Sequence, residues 1–143
     1  MHHPSRHLLV ALGLILLTGC QCPCFKKSVP SSMAPVGSSI EKLLLRLKLD
    51  GVTVENTKEK KLSSYATPRL RINNDGAIHV YVYVSEVTDA HQEQLRKLGA
   101  TIELANEDLK LIQAWLPFDK VEEAAAIPFV KAVRSPKYGA PRK

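Results

Sequence analysis

Few side chains in this sequence are placed to do chemistry. Cys20, Cys22 and Cys24 form a Cys-Gln-Cys-Pro-Cys run. Thiolates bind soft metal ions, but no histidine or further cysteine stands near enough to complete four ligands. The run reads as tether chemistry. His79 falls in a strand pattern. His91 shares helical spacing with Leu95 and Leu98, which makes it a partly buried structural histidine. Glu122 and Glu123 are adjacent on a helix with diverging side chains, and Glu107-Asp108 marks a turn. The sequence contains no His-Glu-x-x-His, Gly-x-Ser-x-Gly or phosphate-cradling glycine loop. A serine nucleophile would need a positioned base, and none can be read from the pattern. The expectation is a non-enzymatic chain with no cofactor and no metal.

One cysteine has a chemical assignment of its own. Met1 to His7 form a polar opening with Arg6 as its fixed positive charge, and Leu8 to Leu17 form a continuous apolar run. That run is shorter than the roughly 20 residues needed to cross a bilayer as a helix, so it reads as an export signal over residues 1–19. The following Leu17-Thr18-Gly19-Cys20 resembles the lipobox of bacterial lipoproteins. The resemblance implies a diacylglyceryl group on the Cys20 thiol and an exported, membrane-anchored lipoprotein. Acyl chains there would contribute about 0.8 kcal/mol per buried methylene.

The 143 residues are 45% apolar and 24% charged, which is ordinary globular usage and excludes collagen-like and fully disordered classes. Lys plus Arg number 20 against 14 Asp plus Glu, a formal +6 that is too mild to announce nucleic acid. Residues 20–39, rich in Pro and Ser and without an acid, read as a flexible linker. Ser38 and Glu41 have capping-box spacing, and Ile40, Leu43, Leu44 and Leu47 recur as one helical face, giving an amphipathic helix over 39–49 stopped by Asp50-Gly51. Its basic residues allow a membrane-surface reading, and its stripe a packed one. The rest of 40–68 reads as a polar connection with room for one short strand.

From residue 69 the pattern tightens. Arg69–Ile72 and Ala77–Ser85 read as a hairpin about Asn73-Asn74-Asp75-Gly76, with Asp-Gly supplying positive φ angles. Thr88 or Asp89 caps a helix that Gly99 ends. Strands follow at 101–104 and 109–116, then a helix capped by Asp119 with Glu122 three residues on, then a strand at 129–133. The order is β-α-β-β-α-β after an N-terminal hairpin strand, an α+β, ferredoxin-like plan over residues 69–133 with both helices on one face of an antiparallel sheet. Residues 69–143 are expected to fold without what precedes them.

Two surfaces remain. If Ile78, Val80, Val82 and Val84 face the helices, then His79, Tyr81 and Tyr83 lie on the other face, joined by Leu111, Gln113 and Trp115. Aromatic residues dominate interface hot spots, so this face is a recognition surface unless residues 40–68 cover it. Glu123 is the last acid, and the final 20 residues carry +5, so residues 134–143 read as a basic, extended, mobile tail.

The stretch Ile78 to Tyr138 resembles the propeptide-like inhibitor domains of subtilisin-type proteases. The similarity is carried by His79-Val80-Tyr81-Val82-Tyr83-Val84-Ser85, by Leu95–Gly99 with Thr101–Leu104, by Gln113-Ala114-Trp115-Leu116-Pro117, and by Ala125-Ala126-Ile127-Pro128-Phe129-Val130. It implies a ferredoxin-like fold whose open sheet face packs on the protease, with the segment after the last strand in the substrate cleft. The implied partner-binding residues are Tyr81, Tyr83, Gln113, Trp115, Lys137 and Tyr138. In that family a catalytic domain usually follows, whereas this sequence ends at Lys143, so action is expected in trans. The leading expectation is a lipid-anchored interaction module that inhibits or docks a subtilisin-type protease. The alternatives are a structural envelope lipoprotein presenting a basic tail, and a nucleic-acid-binding domain. The last is disfavoured because Leu109–Phe118 lacks the Arg/Lys-Gly-Phe-Gly-Phe pattern of RNA-binding sheets.

Overall fold

A computed structural model describes residues 33–138. Cys20, Cys22, Cys24 and the end of the basic tail lie outside them. Seven elements follow one another: α1 (Ser38–Leu49), β1 (Ala77–Val84), α2 (Asp89–Lys97), β2 (Thr101–Asn106), β3 (Leu111–Pro117), α3 (Val121–Ala125) and β4 (Val130–Arg134). The fold is α+β, with one four-stranded antiparallel sheet in the order β2-β3-β1-β4.

The alternation in β1 fixes which face is buried. Ile78, Val80, Val82 and Val84 sink into a cluster with Ile112, Ala114 and Leu116 of β3 and Val130 and Val133 of β4. The helices close that cluster with Leu95 of α2, Val121, Ala124 and Ala125 of α3, and Ile40, Leu43 and Leu47 of α1. Leu62, in a 3-10 turn at Leu62–Tyr65, joins them and is fully buried. Core residues therefore come from 34–68 as well as from 69–133. The stripe on α1 is a packed one, and residues 40–68 send their buried apolar side chains into the core rather than over the aromatic face.

The last residues of the expected linker are paired too. Val36 bridges Val133 in parallel, with Gly37 N–H donating to the Val133 carbonyl at 2.7 Å and Val133 N–H to the Pro35 carbonyl at 3.1 Å. Because Gly37 is the residue before the helix, it, and not Ser38, is the N-cap, and no side chain caps α1. The Ser38–Glu41 capping box is therefore absent. At the other end the sequence reading holds: Asp50 ends the helix and Gly51 has φ +62°.

The hairpin is looser than its sequence implies. Arg69–Ile72 forms only isolated bridges, Ile72 to Ile78 and Thr67 to Leu70, plus His79 N–H to the Arg71 carbonyl at 3.0 Å. Only Gly76 has positive φ, at +84°; Asp75 does not. Asn73 accounts for the difference, since its Oδ1 accepts from Asp75 N–H at 3.1 Å and Ala77 N–H at 2.8 Å. That is an Asx-type turn in place of the expected Asp-Gly turn. A Cβ at Gly76 would lie 3.0 Å from Phe118 Cδ1, so glycine is required there for space as well as conformation.

Thr88 caps α2, its hydroxyl accepting from His91 N–H at 3.2 Å. The His91 ring stacks on Phe129 at 3.9 Å between centroids, and its Nδ1 lies 2.8 Å from the Glu86 carbonyl, a packing role. Asp119 does not cap the last helix. It sits in a 3-10 turn, Phe118–Lys120, that runs directly into α3. Continuous helical backbone there leaves no extended residue to act as N-cap.

Candidate functional site

The sheet face opposite the helices is built by cross-strand pairing. His79 opposes Trp115, Tyr81 opposes Gln113, and Tyr83 opposes Leu111 on β3 and Ala132 on β4. Leu111 and Ala132 are buried although they lie outside the main core. Arg134 pairs with Tyr81, and its guanidinium lies 5.8 Å from the Tyr83 ring centroid. The expected set Tyr81, Tyr83, Gln113 and Trp115 thus shares one face.

The centre of that face is a residue the sequence did not single out. Between Ile102 and Leu104 the β2–β3 register shifts, so Glu103 is the extra residue of a bulge. Bulges re-aim side chains, and this one turns the Glu103 carboxylate across the sheet. Its Oε2 accepts from Gln113 Nε2 at 2.6 Å and from His79 Nε2 at 2.8 Å, and its Oε1 accepts from Trp115 Nε1 at 2.7 Å. The hydrogen bonds from Gln113, then Trp115, hold the Glu103 carboxyl below the ordinary glutamate value, with His79 adding to the effect. The His79 and Trp115 rings stack at 4.8 Å and 21°. His79 is only 6% exposed, which its place on the face opposite the core does not forecast.

Tyr138 covers it. Its hydroxyl bonds His79 Nδ1, its ring lies 5.8 Å from the His79 ring, and the Arg71 guanidinium sits 4.0 Å over the Tyr138 ring. An ionised carboxylate can only accept, so Nε2 of His79 carries a proton. In the neutral ring Nδ1 then accepts the Tyr138 hydroxyl proton. In that state the three groups form a directed chain, Tyr138 to His79 to Glu103. Burial raises the Tyr138 phenol above its ordinary value, so it stays protonated. That is the opposite of an activated nucleophile. The chain orients rings and closes a polar network on an aromatic surface.

The first residues of the expected mobile tail are thus placed on the sheet: Pro136 is buried, Lys137 is exposed and Tyr138 half-buried. Lys137 is close in sequence but takes no part in the network. The signal that could have exposed Glu103 is period-2 alternation, which puts Thr101 and Glu103 on the aromatic face once β2 is set beside β3. For Arg71 the signal is its place beside β1 in the hairpin. Among the described residues no group of three or more His, Cys, Asp or Glu could hold a metal ion, and no helix is long and apolar enough to cross a membrane. Compared with protein-family models, curated proteins and solved structures, the chain has no significant match.

Proposed function

We propose that this chain is a lipid-anchored, non-enzymatic interaction module whose open sheet face docks a protein partner, a subtilisin-type serine protease by the resemblance of residues 78–138. The observation that carries the reading is the Glu103-centred network, which fixes Trp115, His79 and Tyr138 as one rigid aromatic surface before any partner arrives. Rigid aromatic anchors lose little entropy on binding, and Trp and Tyr are the residues that carry hot spots. The strand order β2-β3-β1-β4, with α2 and α3 on one face, supports a ferredoxin-like plan with α1 added. Anchoring follows from the lipobox-like string ending at Cys20.

The test is functional. Titrating a panel of subtilisin-type proteases with the full chain should suppress hydrolysis of a peptide substrate at a 1:1 stoichiometry for at least one member, or retain that protease on the immobilised chain. No inhibition and no retention across the panel would leave the face as a structural surface and favour the envelope reading.

A further inference from the structure

A second surface borders the sheet network and shares Tyr138 with it. Where α1 begins and β4 ends, a cavity of about 500 Å3 opens, lined among others by Ser38, Ser39, Arg69, Arg134, Ser135 and Lys137. It has three cationic side chains, three serine hydroxyls and the Tyr138 phenol that bonds His79, and no carboxylate lines it. Among the described residues none of the three cations is paired with an acid. Like charges lining one cavity repel one another, so a shared anion relieves that repulsion.

The scaffold around the cavity is fixed. Gly37 N–H is clamped to the Val133 carbonyl at 2.7 Å, and a Cβ at Gly37 would stand 3.4 Å from Arg134 Cα. That close approach sets Arg134 beside Ser38 and Ser39. Guanidinium forks and hydroxyls are the donors that match phosphoryl oxygens.

Ser39 and Arg69 also line an adjoining groove of about 350 Å3. Its floor is Leu43, Tyr65, Pro68 and Leu70, and its rim carries Lys42 and Arg46. An anion site continuous with an apolar, cation-rimmed groove has the polarity pattern of an amphiphile: a charged head at one end and hydrocarbon at the other.

We propose that this pair of cavities binds an anionic phospholipid of a bilayer, its phosphoryl group among Arg69, Arg134 and Lys137 and its glycerol and upper acyl portion against Leu43, Tyr65, Pro68 and Leu70. The choice of a bilayer rests on the lipid anchor of the proposed function. The 14 residues from Cys20 to Met33 span up to roughly 50 Å when extended. The anchor alone therefore leaves the domain's orientation open, and headgroup capture would lay it on the membrane with the cavity inward.

The test uses residues 20–143 carrying Cys20→Ser, so that neither an acyl group nor the apolar run of residues 8–17 holds the chain on the membrane and the result does not depend on the anchor. Sedimentation with phosphatidylcholine vesicles, with and without phosphatidylglycerol, should show saturable binding only when the anionic lipid is present. R69Q/R134Q should weaken that binding by roughly tenfold per guanidinium removed, while Lys97→Gln on α2, which removes one positive charge elsewhere, leaves it unchanged. Thermal melts establish that the variants are folded. Should the double variant not fold, Lys137→Gln carries the same expectation as a single tenfold step. Vesicle binding equal for wild type and the cavity variants, an equal loss with Lys97→Gln, or no binding to anionic vesicles would overturn the proposal.

Discussion

At the scale of single residues, the open face depends on one carboxylate. Glu103 accepts from three side chains, two on the neighbouring β3 and one on β1 beyond it, and each of those donors is oriented by it. Its folded pKa is depressed, so its contribution to stability is complete above the unfolded glutamate value and is lost as pH falls through the lower folded value. Glu103→Gln should therefore destabilise the protein at neutral pH by about 1 kcal/mol, a figure kept small because the carboxylate is partly solvated. In chemical denaturation the gap between wild type and variant should narrow as pH drops below the carboxylate range. A gap that stays constant with pH would mean that the charge of Glu103 is not what organises the face. None of this was visible in the residue types. Tyr81, Tyr83, Gln113 and Trp115 could be assigned to one face by alternation, because alternation is a local property of a strand. Alternation puts Glu103 on the face of Thr101, but the partners it meets depend on which strands are neighbours and on a bulge, and neither is written in β2 itself.

Elements show a similar division. The sheet strands and α2 were legible because each carries a complete local signal: apolar residues at every second position in β1, a Thr88 cap and a Gly99 stop for α2. The misread features are those in which a longer-range contact competes with a local one. Ser38 fits a capping box, yet the Val36–Val133 bridge fixes the chain one residue earlier, and Gly37 becomes the cap. Asp75-Gly76 fits a tight hairpin turn, yet the Asn73 side chain offers the backbone another set of bonds. For α1 the stripe was legible but its destination was not, since a leucine face can meet a membrane or a core. Leu47 is 1% exposed and belongs to the same cluster as Ile78 and Val80. Leu47→Ala should cost about 2–5 kcal/mol, read as a lowered denaturation midpoint with an unchanged slope. A change below 0.5 kcal/mol, about what a surface substitution gives, would place α1 outside the cooperative unit.

For the whole molecule, two features organise the described residues: a core shared by their three α-helices, and a sheet face that carries the network. The sharing bears on where the folding unit begins. A sequence boundary at residue 69 leaves Ile40, Leu43, Leu47 and Leu62 behind, all of them in the core cluster. A chain lacking residues 1–68 is expected to lose its cooperative thermal transition, whereas one lacking residues 1–32 should keep it. A sharp transition in the shorter chain would restore the boundary at residue 69. The face bears on function, because its aromatic residues are held by strands the core makes rigid, and Tyr138 ties the chain after β4 to the same surface. The most direct test is the equilibrium affinity of a subtilisin-type protease for three full-length proteins of verified fold: wild type, Trp115→Ala with Tyr83→Ala, and Tyr138→Ala. The account predicts measurable binding by wild type and a loss of roughly 2 kcal/mol or more in the double variant, with a smaller loss for Tyr138→Ala. Equal affinity for all three, or no binding by any of them, would contradict it.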